Sequence, residues 1–61
     1  MVSESKVTKQ GSTLITLTGS AKISNWYQIT LFQKNEGNWF HIGDIQERNL
    51  YHAYTLYEDI N

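Results

Sequence analysis

The groups in this chain able to move a proton or hold a metal ion are His41, His52, Asp44, Glu47 and a scatter of other carboxylates. His41 and Asp44 lie three residues apart, a spacing that on a regular strand turns the two side chains to opposite faces, and zinc would require a third ligand besides. No metal or other cofactor is therefore expected. His52 lies on the polar side of an amphipathic C-terminal segment and reads as a solvated side chain rather than a general base. Ser12, Ser20 and Ser24 sit in turn contexts without a nucleophile elbow, and "GST" and "TGS" lack the lysine and helix entry of a phosphate-cradling loop. There is no cysteine, so thiolate metal sites and disulfides are excluded. Catalysis also needs a concave pocket that excludes water, more than one thin layer of this size makes, and the expectation is that the chain is not an enzyme.

What remains is the chemistry of rings and cations. Residues 25–43, "NWYQITLFQKNEGNWFHIG", hold both tryptophans, both phenylalanines and one of the four tyrosines. Such rings either fill a core or present a surface, and the elements that carry them decide which.

A chain of 61 residues with 39% hydrophobic and 18% charged residues is a single folded domain spanning 1–61, in which only about 60% of the unfolded surface can be buried. The core must be thin, and estimates for unstapled domains of this size come out near zero once chain entropy is subtracted. There is no proline, internal repeat or low-complexity tract, hence no linker. "STLITLTG", residues 12–19, has the Thr, Leu and Ile content of a half-buried strand between turn signals. "SKVTK" would form a hairpin with it through Gln10 and Gly11, although its apolar content is one valine. "WYQITLFQK", residues 26–34, is the strongest strand, and "NEGN" is a hairpin loop in which Gly37 takes the positive φ that such turns require. "WFHIGDI" completes the pair.

If Lys34 and Trp39 flank that loop, residues whose numbers sum to 73 face each other. Tyr27, Ile29, Leu31, Phe40 and Ile42 then share one face. The other holds Trp26, Gln28, Thr30, Phe32 and Lys34 with Trp39, His41, Gly43 and Ile45. A one-residue slip mixes the faces. In the last segment, residues 46–61, a strand reading leaves neither side apolar. At a helical period Leu56, Tyr57, Ala53, Ile60, Leu50 and Tyr54 form one arc of roughly 160°. Glu47 near the start suits the positive end of the helix dipole, whereas Glu58 and Asp59 near the other end oppose it and favour fraying of the last turn.

The expected fold is α+β, an antiparallel sheet of three or four strands with one C-terminal amphipathic helix packed on one face. One helix cannot cover both faces. The uncovered side would carry a patch of Trp26, Phe32, Trp39 and His41 with Lys34 at its rim, and these five are the candidate binding residues. Three fates are open to it: burial by the amino-terminal residues or by curling of the sheet, self-association through the face or an edge strand, or a different partner. The favoured expectation is a regulator or inhibitor docking on a larger protein, alone or as a homodimer.

The rival is a sheet surface that binds single-stranded nucleic acid, stacking bases on Trp26, Phe32 and Trp39 with Lys22 and Lys34 as cations. Against it stand a net charge of −1 and the lack of any RNP-like or cold-shock-like string. Charge is unevenly spread: residues 1–34 carry four lysines against Glu4, and residues 35–61 carry Arg48 against five carboxylates, so the two halves can complement each other. No stretch resembles a signal peptide or approaches the roughly 18 apolar residues of a membrane span. A cytoplasmic protein without membrane contact is expected.

Overall fold

The computed structural model describes residues 1–20 and 26–60, with the side chain of Ser20 left aside. Lys22 and Ser24, named above as a candidate cation and a turn serine, lie outside the described residues. The elements are β1 (Val2–Val7), β2 (Thr13–Ser20), β3 (Trp26–Asn35), β4 (Asn38–Glu47) and α1 (Leu50–Asp59). The strands form one antiparallel sheet in the order β1-β2-β3-β4. Ser20 is the last residue of β2 rather than a turn residue.

Local chemistry accounts for most boundaries. Between β3 and β4 the two turn residues, Glu36 and Gly37, have φ of 52° and 83°, the paired positive angles of a type I′ turn whose twist matches the flanking strands. Thr8 closes the β1–β2 turn: its N–H donates to the Thr13 carbonyl at 2.9 Å, and its carbonyl accepts from Gly11 N–H at 2.8 Å. Asn49 caps the helix by accepting the His52 N–H on its side chain at 3.2 Å, satisfying one of the free amides of the first turn. Glu47 does not belong to that turn. It ends β4, and the first turn of α1 holds no acidic residue.

The helix lies on one side of the sheet, here called the inner face, with the arc read from the sequence turned inward. Ala53 and Tyr57 are buried, Leu50, Tyr54, Leu56 and Ile60 pack around them, and Tyr51, His52, Thr55, Glu58 and Asp59 are exposed. From the sheet Ile15, Leu17, Tyr27 and Ile29 complete the core. Ile15, Leu17 and Ile29 are fully enclosed, each stabilising the fold by about 1.5–3 kcal/mol.

The register from the turn down to Phe32↔His41 is the one expected, including Gln33↔Phe40, but it does not continue. Beyond Phe32 the partners are Leu31↔Gly43 and Ile29↔Ile45, leaving Ile42 as an extra residue on β4. This is a β-bulge, which inserts one residue and reverses the alternation beyond it. Ile45 therefore moves from the outer face, where a regular ladder would put it, to the inner face against the core.

Phe40 and Ile42 were expected beneath the helix and are instead 52% and 55% exposed. The reason is length. Ten residues of helix span about 15 Å, whereas the ten residues of β3 span about 33 Å. The β3–β4 hairpin thus projects past α1. The radius of gyration, 11.9 Å, exceeds the roughly 10.5 Å typical of a compact 61-residue domain for the same reason. Among the described residues no helix is long and apolar enough to cross a membrane.

Candidate binding surface

The outer face carries Trp26, Gln28, Thr30, Phe32 and Lys34 from β3. Across from them stand Gln46, Asp44, His41 and Trp39 from β4. β1 forms a strand but does not fold over this face. It extends the sheet beside β2, so the amino-terminal cover considered above is not what residues 1–7 provide. All five candidate residues therefore lie on the side away from the helix, Trp26 and Trp39 each being 39% exposed.

They do not form one patch. Phe32, Lys34, Trp39 and His41 come together near the hairpin tip, with the Phe32 and His41 rings edge to face at 5.7 Å and 63°. The Lys34 ammonium stands 5.8 Å from the Trp39 ring centre. Trp26 is at the far end of β3, about 27 Å from Lys34 at eight residues of strand rise. There the Arg48 guanidinium lies 4.5 Å over its ring. Each indole of the outer face thus has its own cation, an arrangement worth about 0.5–1 kcal/mol at an exposed site.

Sequence reasoning missed several members of this surface. Val7, 51% exposed, pairs with Leu14, Leu14 with Phe32, and Phe32 with His41. An apolar row consequently crosses all four strands. Finding it required the β1–β2 register, which the Gln10–Gly11 turn signal alone did not specify. Phe40 and Ile42 add an apolar surface on the inner side of the same tip, where they border a shallow depression of ≈ 320 Å³ with Gln33, Lys34 and Asn35.

The bulge also overturns the expected separation of His41 and Asp44. With Ile42 inserted, both side chains reach the outer face, and His41 Nε2 lies 2.9 Å from Asp44 Oδ2. Gln28 Nε2 donates to Asp44 Oδ1 at 3.1 Å and lies 3.2 Å from Thr30 Oγ1. The hydrogen bond from His41, followed by that from Thr30, holds the Asp44 carboxyl below its ordinary value against a small opposing effect of burial. The pair joins the two sides of the bulge. At 53% and 39% side-chain exposure it lacks the exclusion of water on which general-base work depends, and its geometry is that of a clasp. Among the described residues no group of three or more His, Cys, Asp or Glu could hold a metal ion.

Charge is divided between the layers. The outer face bears Lys34 and Arg48 against Asp44, which His41 and Gln28 engage. Glu4 and Lys6 of β1 point to the inner face, opposite Leu17 and Ile15, and meet the helix. Tyr54 donates its hydroxyl to Glu4, which pushes the phenol up from its usual value. Lys6 Nζ lies 4.7 Å from the Tyr57 ring centre and 3.5 Å from the Glu58 carbonyl. Burial, and then the Glu4 charge, push the Tyr57 phenol upward. No protein-family model, curated protein or solved structure matches the chain.

Proposed function

We propose that this chain is a small non-enzymatic binding protein, a regulator or inhibitor that docks on a larger protein through its projecting hairpin. The observation that carries the reading is the exposure of Trp39, Phe40 and Ile42, at 39%, 52% and 55%, on a hairpin that outruns its helix. A domain with six buried core side chains among its described residues leaves comparable apolar groups in water at one end. Apolar surface grouped in this way marks contact sites, and tryptophan is the residue most enriched among interface hot spots.

The test is site-specific photo-crosslinking from position 40 in cells, comparing the wild type with a Trp39→Ala, Ile42→Ala variant whose circular dichroism is unchanged. A discrete adduct lost in the variant is the expected result. The same adducts at equal yield in both proteins would remove the hairpin from consideration.

A specific observation also favours single-stranded nucleic acid as a second reading: Arg48 over Trp26 and Lys34 over Trp39 put a cation on each outer-face indole. Bases stack on indoles while cations meet phosphates. Retention of oligonucleotides on a gel by the wild type, lost on Trp39→Ala, would move the assignment to that class.

A further inference from the structure

We infer that the free edge of β1 is a self-association surface, and that its occupant is the β1 strand of a second copy of this chain, paired antiparallel about Ser5. This goes beyond the docking reading above and uses a different part of the molecule.

The two edges of the sheet are unlike. β4 carries a bulge at Ile42, which breaks the even spacing of its backbone groups. β1 pairs with β2 in unbroken register from Val2↔Gly19 to Val7↔Leu14 and contains no proline or glycine. An edge of that kind is a template for another strand. Its backbone polarity follows from the turn: Thr8 directs its N–H to β2. By the alternation of antiparallel ladders, Lys6 and Glu4 do the same, and Ser3, Ser5 and Val7 turn their N–H and C=O groups outward.

Those outward groups fit a two-fold axis through Ser5. Ser5 then pairs with Ser5 of the second copy and Ser3 with its Val7, each as a hydrogen-bonded pair. Between them Glu4 falls opposite Lys6 of the second copy as a non-hydrogen-bonded pair, the type with Cα atoms only about 4.5 Å apart and side chains in contact. The two-fold axis repeats the pairing with the roles exchanged, so the edge is complementary to itself in charge. Both side chains are already held on the inner face, Glu4 by Tyr54 and Lys6 by Tyr57. A carboxylate and an ammonium each have hydrogen-bonding capacity beyond one partner. The result is an isologous dimer with one eight-stranded sheet, its two helices on the same side.

The experiment is sedimentation equilibrium with native mass spectrometry on the wild type, Glu4→Lys, Lys6→Glu and an equimolar mixture of the two variants. The wild type is expected at twice 7.1 kDa. Each variant places like charges opposite one another and should dimerise about tenfold or more weakly. The mixture restores both opposite-charge pairs and should recover a one-to-one heterodimer, a gain that damage to the monomer fold cannot produce. Ser5→Pro, which removes an outward N–H and leaves the β2 ladder intact, should also give monomer with unchanged circular dichroism.

A wild type that stays monomeric up to roughly 0.5 mM, or a mixture no more associated than its components, would overturn the inference. Trp39→Ala, Ile42→Ala should leave the dimer intact. Loss of the dimer there, with Glu4→Lys still dimeric, would assign self-association to the hairpin instead.

Discussion

Replacing Gly19 by alanine tests how closely β2 and β3 approach at the end of the sheet where the core lies. Gly19 has φ of 151°, in the region side chains rarely adopt, and it pairs with Tyr27. A Cβ there would stand 2.5 Å from the Trp26 carbonyl oxygen, 2.8 Å from Tyr27 Cα and 2.9 Å from the Tyr27 ring. Two of these neighbours are backbone, which cannot swing aside as a side-chain tip can. The dihedral strain costs about 1–3 kcal/mol and the overpacking a further 1–3 kcal/mol. Restricting the unfolded chain returns only about 0.4–1 kcal/mol. The net loss is about 2–5 kcal/mol, against a total stability of about 3–9 kcal/mol for 61 residues.

Urea titration followed by circular dichroism and tryptophan emission reads this directly. With a slope near 1 kcal/mol per molar for so small a domain, a loss of about 3 kcal/mol lowers the midpoint by about 3 M. Gly43→Ala is the control, because its added Cβ meets nothing within 4 Å and its φ is not in the positive region. That variant should stay within about 1 kcal/mol of the wild type, on the stabilising side. A Gly19→Ala midpoint equal to that of Gly43→Ala would refute the close approach of the strands and the seating of Tyr27 over the glycine.

Deleting Ile42 should leave the fold intact, since the pairs on either side of it, Leu31↔Gly43 and Phe32↔His41, then join in a regular ladder. Deleting Asp44 should instead reverse the alternation toward the turn, and chemical shifts along β4 distinguish the two outcomes. Asn49→Ala removes the bond to the His52 N–H and should cost about 1 kcal/mol, measured as a lowered thermal midpoint. The depressed Asp44 value gives a sign for pH: its stabilising contribution is present above the ordinary carboxylate value and is lost as pH falls through the lower folded value. Asp44→Asn should therefore flatten the acid limb of stability against pH. The raised Tyr54 value acts in the alkaline range, where stability is lost as pH rises past the ordinary phenol value through the folded one. Tyr54→Phe should remove that loss.

The helix was legible in the sequence because its arc is complete: all six residues assigned to it pack inward, and the five assigned to the other side are exposed. The hairpin turn was legible for a similar reason, as Gly37 constrained it from the loop outward to Phe32↔His41. The bulge was not read, because a regular register already gave one face of uniform apolar character. Two residues did mark the fault: Ile45, left among polar neighbours, and Gly43, a strand glycine of the kind that accompanies bulges. β1 was obscured by Glu4 and Lys6, which a core-facing position seems to forbid. On an edge strand they stand beside the core rather than in it, where they meet Tyr54 and Tyr57. As for the candidate surface, its five residues were placed on the right face, but their division between two ends follows from strand length, and Phe40 and Ile42 joined it because the helix is short.

The bulge at Ile42 has a consequence for solubility as well as for the face it reshapes. A sheet whose two borders were both straight could add copies without end, the route by which small β-rich proteins become fibrils. Here one border is stepped, and growth from it would have to begin out of phase with the ladder behind it. A single displaced isoleucine thus acts as a terminator, leaving the molecule at most one side on which to recruit its like.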